Sequence, residues 1–172
     1  DLHFGDFPGS DKDTLNGVEW LHELYTRADP VFTGRATVPV LWDKQNGTIV
    51  NNESADIVRM FNSGFGELAD PALDLYPAAL RAEIDQLNAD IYPRLNNGVY
   101  RAGFATTQLS YEEAFNDVFD MLDCLEQRLS DGRDYLCGAQ FTEADIRLFV
   151  TLIRFDAAYH GIFKCNFRQL RE

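Results

Sequence analysis

The sequence predicts an α+β fold in which a small unit of strands and helices is followed by a unit built from helices alone. The first unit is indicated by a β-rich run over residues 37–42, after which helical spacing returns. The second is indicated by apolar residues that recur at steps of three and four, with no convincing strand among them. We expect the first unit over 1–62, a linker over 63–75 and the all-helical unit over 76–172.

Composition and charge limit the classes of function. Apolar residues make up 45% and aromatic residues 13% of the 172 residues, which is typical of a globular protein. The net charge of −13 argues against nucleic acid and anionic membranes as partners, and no apolar run is long enough for a membrane span. The three cysteines and three histidines have no metal-ligand spacing, so we expect no metal site, no disulfide framework and a cytoplasmic location.

Each element of the first unit has its own signal. Apolar residues at helical spacing predict a helix over 14–28, and the β-rich run predicts a strand over 37–42. A turn ending in Asn46-Gly47 then leads to a short partner strand over 48–50. The return of helical spacing predicts a helix over about 53–62.

Three segments of the second unit have strong helical signals. A stripe from Leu80 to Leu95 predicts a helix that Pro93 should kink or end. The run Ser110-Tyr111-Glu112-Glu113 predicts a capping box before a second helix. Thr142-to-Asp145 predicts another box, before a helix that is apolar on several sides and so should be central and buried. Its apolar residues include Leu148, Phe149, Val150, Leu152, Ile153 and Phe155.

Two features of the first unit are candidates for ligand binding. A proline that enters a strand beside a ligand site, as in Val38-Pro39, is often preceded by a cis peptide bond, which leaves the N–H and C=O of Val38 to pair with a peptide-like ligand. At the start of the next helix, Ser54 can donate to a carboxylate and Glu53 can accept from an α-ammonium group. An ordinary trans proline and a plain helix cap are the respective alternatives.

Tyr100 and Tyr159 are candidates for proton transfer in the second unit. Tyr100 lies in a glycine-broken segment between two predicted helices, and Tyr159 lies where the predicted central helix ends. A phenol can donate to an oxyanion or relay a proton if it is held in a dry pocket. A packing role is the alternative for each tyrosine.

These features together resemble the glutathione transferase fold, a thioredoxin-like domain followed by a helical domain. The likeness in general rests on Thr37 to Asp43, Asn52 to Phe61 and the Thr142-to-Asp145 box. Three longer segments are similar to the glutathionyl-hydroquinone reductases, which are Xi-class, omega-like glutathione transferases. These segments are Arg35 to Asp43, Asn96 to Ala105 and Arg154 to Asn166. The resemblance covers nearly the whole chain and implies a partial thioredoxin-like domain.

The resemblance implies a reductase that removes glutathione from glutathionylated aromatic hydroquinones through a cysteine mixed disulfide, with glutathione as co-substrate. It implies that Tyr100 is the proton donor and acceptor at the aromatic substrate and that Tyr159 helps to lower the nucleophile's pKa. Transferases of this fold commonly form homodimers. The residues that would bind glutathione are Arg35, Ala36, Thr37, Val38, Glu53 and Ser54.

The nucleophile of this family lies in a Cys-Pro-Trp-Ala segment that the 172 residues do not contain. We therefore expect it to lie outside this chain, with the sequence truncated at both ends and the chain alone inactive by the thiol mechanism. A family tryptophan that contacts glutathione would fall at about Asp1. A non-catalytic binding module of the same fold, and a transferase that conjugates glutathione through a serine or tyrosine, stay open as alternatives.

Overall fold

The computed structural model describes residues 2–5, 7–70 and 72–171, so the tryptophan position expected at Asp1 lies outside the described residues. The chain forms two compact units, Asp1–Ala69 and Asp70–Glu172. The predicted α+β class is confirmed.

The first unit contains α1 (Leu21–Ala28), β1 (Leu41–Asp43), β2 (Thr48–Asn51), α2 (Ser54–Ser63) and a 3₁₀ turn (Gly66–Leu68). The second contains α3 (Arg81–Ile91), α4 (Gly98–Gly103), α5 (Gln108–Leu129) and α6 (Glu143–Arg154), with π-helical turns at Tyr92–Asn96 and Phe155–Tyr159.

The predicted hairpin of the first unit is confirmed. β1 and β2 pair antiparallel, with Trp42 opposite Ile49. The turn between them is built by Asp43, whose carboxylate accepts the backbone N–H groups of Gln45 and Asn46 at 2.8 and 3.0 Å. These bonds, with that from Asn46 first, hold the pKa of Asp43 below its usual value. Gly47 closes the turn at φ +65°, a conformation that favours glycine.

Two predictions for the first unit are wrong in their extent. The helix expected over 14–28 begins only at Leu21, because the Asp13 carboxylate accepts the backbone N–H groups of Leu15 and Asn16, both at 2.9 Å. The strand expected over 37–42 is confined to Leu41–Asp43. Pro39 has no N–H to give a ladder, and the N–H and C=O of Thr37 both bond to a side chain.

The second unit has a continuous apolar core. α3 ends at Ile91 and passes into a π-helical turn that contains Pro93, so the expected interruption at this proline is confirmed. The core contains buried residues from α3 through to the second π-helical turn. They include Ile84, Ile91, Leu95, Val99, Ala114, Val118, Leu148 and Phe155. A buried pair joins two of the helices, since the Asn88 amide donates to the Glu143 carboxylate at 3.0 Å.

The capping predictions for the second unit divide. The N-cap of α5 is Thr107 and not Ser110, whose own N–H donates to the Thr107 hydroxyl at 3.2 Å. The threonine three residues earlier therefore starts the helix almost one turn sooner. At α6 the predicted box is confirmed, with the Asp145 carboxylate accepting the backbone N–H of Thr142 at 2.8 Å.

The expectation that α6 is buried on several sides is wrong. Ala144, Leu148 and Thr151 form its buried face, but Phe149 and Ile153 on the other side are 56% and 62% exposed. Beside that side lies an open apolar groove of about 460 Å³. Among the residues described, no helix is both long and apolar enough to cross a membrane.

Candidate functional site

The Thr37–Pro39 loop presents an unpaired piece of backbone. The Val38–Pro39 peptide bond is cis, so the trans alternative does not apply, and Val38 is 62% exposed. No described residue hydrogen bonds to the N–H or the C=O of Val38. Both groups are therefore open to a peptide-like partner that pairs with the chain as an added strand would.

A buried tyrosine holds the residue before this loop. The Tyr25 hydroxyl donates to the Thr37 carbonyl at 2.7 Å and accepts from the Thr37 N–H at 3.3 Å. The Asn52 amide donates to the same hydroxyl at 3.0 Å and to the Thr37 hydroxyl at 3.3 Å. In the sequence, Tyr25 has helical spacing with Leu21 and Leu24, and this spacing carries no signal of the hydrogen-bond network.

Glu53 and Ser54 stand exposed at the start of α2. Glu53 is the N-cap residue: its carbonyl accepts from the Ile57 N–H at 3.0 Å, and its N–H donates to the Asn51 side chain at 2.6 Å. Its carboxylate makes no capping bond, so the plain side-chain cap is not what the structure shows. Within the described part of the chain, no group hydrogen bonds to the Glu53 carboxylate or the Ser54 hydroxyl.

The structure brings the two halves of the predicted glutathione site together at Thr37 and Asn52, which are adjacent in sequence to Val38 and Glu53 respectively. Arg35 is exposed, and Ala36 packs against the buried face of α1. An open groove of about 330 Å³ is lined by Val38, Val40 and Trp42 among others, but by none of Arg35, Glu53 and Ser54. The groove is therefore not itself the predicted site, and the roles assigned to these residues stay predictions.

Tyr100 and Tyr159 meet in the second unit. Their hydroxyl oxygens are 3.2 Å apart, with Tyr100 in α4 40% exposed and Tyr159 in the second π-helical turn 4% exposed. The hydrogen bond to Tyr159, followed by burial, raises the pKa of Tyr100 above its ordinary value. Tyr100 is therefore a neutral phenol at neutral pH, whose partly exposed hydroxyl group can donate a hydrogen bond to a substrate oxygen or accept one from it.

Two phenylalanines complete an aromatic cluster around this tyrosine pair. The Phe163 ring lies 5.3 Å from that of Tyr100 and 5.4 Å from that of Tyr159, and Phe104 packs beside it at 5.3 Å. Gly103 makes this possible, because a Cβ there would lie 2.4 Å from the Phe163 ring. The sequence predicted no functional role for Phe104, Phe163 or Gly103. A glycine in a helix was the one available hint of a close approach.

We expect the Tyr159→Phe variant to lower the pKa of Tyr100 toward the ordinary value of about 10, because the bond that favours the protonated phenol is lost. Tyrosines labelled at Cζ and followed by NMR between about pH 8 and 12 report this directly. Tyr111 is the internal reference: its pKa is raised by burial first and then by Cys165, and it should not move. An unchanged Tyr100 midpoint would mean that the hydroxyl contact does not form in solution.

Two of the three cysteines of this chain are poorly suited to nucleophilic chemistry. All three are free thiols. Burial raises the pKa of Cys165 to about 11 and also raises that of Cys137, which makes both poor sources of thiolate. No cluster of three or more histidines, cysteines or carboxylates that could hold a metal ion occurs among the described residues.

Comparisons with known proteins find glutathione transferases and glutathionyl-hydroquinone reductases along nearly the whole chain. A family model described as "Glutathione S-transferase, C-terminal domain" matches residues 108–172. The chain is 56% identical to the glutathionyl-hydroquinone reductase PcpF of Sphingobium chlorophenolicum over 96% of this chain and 53% of that protein. It is 58% identical to the glutathionyl-hydroquinone reductase YqjG of Escherichia coli over 93% of this chain and 48% of that protein. The chain thus spans about half the length of the curated relatives it matches.

Solved structures agree in fold as well as in sequence. The glutathione-bound structure of YqjG from Escherichia coli matches with a TM-score of 0.94 and 55% identity, over 98% of this chain and 55% of that one. Glutathione transferase Xi 1 from Trametes versicolor matches with a TM-score of 0.93 and 54% identity, over 98% of this chain and 58% of that one. The predicted arrangement of a partial thioredoxin-like domain followed by a helical domain is confirmed.

Proposed function

We propose that this chain belongs to the Xi class of the glutathione transferase family and that the protein containing it removes glutathione from glutathionylated aromatic hydroquinones. The reaction starts with a thiolate that attacks the glutathionyl sulfur and breaks the carbon–sulfur bond, after which the ring carbon takes a proton. A second glutathione resolves the mixed disulfide and gives oxidised glutathione, so electrons and atoms balance. The residues of this chain supply binding and proton transfer.

The observation that carries the proposal is the pairing of open backbone with an open head-group site in the first unit. The cysteinyl backbone of glutathione would pair with the N–H and C=O of Val38, which no described residue uses. The γ-glutamyl carboxylate would accept from the Ser54 hydroxyl and from N–H groups of the first turn of α2. Its ammonium group would donate to the Glu53 carboxylate.

Arg35 and the tyrosine pair take the remaining roles. The exposed Arg35 guanidinium would add positive charge for an anionic end of glutathione, in a chain whose net charge is −13. Tyr100, held protonated by its neighbour, would exchange a proton with a hydroquinone oxygen. Tyr159 would help to stabilise the nucleophilic thiolate, as the family resemblance implies.

Glutathione binding by isothermal calorimetry tests the site directly. We expect Glu53→Ala and Ser54→Ala each to raise the Kd by about tenfold or more, because a hydrogen bond to a charged ligand group contributes about 1.5–3 kcal/mol. Ser63→Ala, at the opposite end of the same helix, is the matched control and should bind as the parent chain does. Parental affinity in both test variants would remove the head-group proposal.

The reaction itself is tested with the protein that contains this chain, assayed on a glutathionylated hydroquinone. Release of the hydroquinone with one equivalent of oxidised glutathione supports the proposal. Conjugation of a chloronitrobenzene without any reductase activity would overturn it in favour of a conjugating transferase.

We also propose a cytoplasmic homodimer. The free state of all three cysteines supports the location, and the family supports the assembly. Sedimentation velocity of the protein distinguishes a dimer from a monomer.

A further inference from the structure

We propose that Tyr25 is a positioning residue for glutathione, whose single hydroxyl ties together the two halves of the binding site. The inference rests on the proposed function, since it concerns the same site. Among the predicted ligand contacts, the Tyr25 hydroxyl bonds to the backbone of Thr37. Tyr25 lies on the buried face of α1, 5% exposed, and acts through Thr37 and Asn52.

The hydrogen-bonding capacity of this hydroxyl is fully used. A phenol has one O–H to donate and two lone pairs to accept. The donor goes to the Thr37 carbonyl at 2.7 Å, and the acceptors take the Thr37 N–H at 3.3 Å and the Asn52 amide at 3.0 Å. These three groups, together with the Thr37 hydroxyl at 3.5 Å, come from two separate segments and meet at one oxygen atom.

The two segments are the ones that precede the proposed ligand contacts. Thr37 is bonded covalently to Val38, whose backbone would pair with the cysteinyl part of glutathione. Asn52 is bonded covalently to Glu53, which would accept the α-ammonium group. Fixing Thr37 and Asn52 to one point therefore sets the distance between the backbone site and the head-group site, which must match the length of the tripeptide.

The packing of the Tyr25 ring holds its hydroxyl group in place. It packs 5.0 Å from the Phe32 ring, beside the buried Leu21 and Leu24 of the same helix. Phenylalanine at this position keeps the ring and its packing but leaves the Thr37 N–H and C=O and one bond of the Asn52 amide without their partner. The effect should appear in ligand affinity beyond any loss of stability.

The experiment measures the glutathione Kd of this chain and of the Tyr25→Phe variant by calorimetry, at a temperature where circular dichroism shows both to be folded. We expect the Kd of Tyr25→Phe to rise about tenfold. Leu24→Val removes one methylene from the same buried face and controls for stability. Tyr76→Phe removes a hydroxyl that bonds to Asp85 in the other unit, and both controls should bind as the parent does.

Asn52→Ala supplies a second, independent reading. Because Asn52 and Tyr25 bond to each other and both bond to Thr37, the loss of affinity in the double variant should be smaller than the sum of the losses in the two single variants. If the parent chain binds glutathione and Tyr25→Phe binds equally well, or loses no more affinity than Leu24→Val, the inference is wrong and the proposed function stands. If the parent chain binds no glutathione, the proposed site itself fails.

Discussion

Replacing Phe155 by alanine should lower the free energy of unfolding of this chain by about 3–5 kcal/mol, the usual cost of a large cavity in a well-packed core. The side chain is 0% exposed. Its ring packs edge-on against Phe119, with centroids 6.1 Å apart, and against Tyr159 at 6.4 Å. Urea unfolding followed by circular dichroism and fluorescence measures the change.

Phe149→Ala is the matched control on the preceding turns. It makes the same chemical change within α6, but its side chain is 56% exposed, so we expect a loss within about 0.5 kcal/mol. A loss for Phe149→Ala as large as that for Phe155→Ala would mean that the outer side of α6 is covered in solution. A small loss for both would contradict the core position of Phe155.

Phe149 and Phe155 show what the sequence could and could not predict about α6 and the turn that follows it. The apolar stripe of α6 identifies a helix and a core contact, and Leu148 and Phe155 are buried as expected. The spacing of apolar residues cannot show that nothing packs on the outer side of α6. A helix with apolar residues on all sides is predicted to be central and buried, wherever it lies in the fold. The exposure of Phe149, Val150 and Ile153 depends on which elements pack against α6, and the local sequence does not record this.

Local signals predicted well wherever the cause of the structure was local. The hairpin follows from Asp43 and Gly47, and the α6 box follows from Thr142 and Asp145, all within four or five residues of their partners. The prediction that Ser110 caps α5 was wrong, because Thr107, three residues earlier, caps the helix.

Contacts between distant residues explain what the sequence could not reveal about the site. Tyr25 reaches Asn52 across 27 positions, and Tyr100 reaches Tyr159 across 59. The tyrosine pair was selected because its segments resemble a family, whereas Tyr25 had only the spacing of a packing residue. A tyrosine can either pack in a core or hydrogen bond at a site, and only the position of its hydroxyl oxygen distinguishes these two roles.

Asp145→Ala should cost about 2–3 kcal/mol of unfolding free energy, the larger part of it from unpaired buried groups. The carboxylate accepts three bonds: from the Leu136 N–H at 2.8 Å, and from the Thr142 N–H at 2.8 Å and the Thr142 hydroxyl at 3.0 Å. Leu136 and Thr142 are 1% and 0% exposed, so water cannot replace the lost acceptor without opening the core.

The exposed N-cap of α5 provides a comparison that separates the effect of capping on stability from the effect of leaving buried groups unpaired. Thr107→Ala removes an exposed N-cap whose hydroxyl accepts from the Ser110 N–H at 3.2 Å, and water can replace that bond, so we expect a loss of about 1 kcal/mol or less. Asp145→Asn keeps one acceptor oxygen and should fall between the two. Equal losses for Asp145→Ala and Thr107→Ala would show that the α6 box acts as an ordinary cap. A larger loss for Asp145→Ala would show that this carboxylate also fixes the backbone at Leu136 to the start of α6.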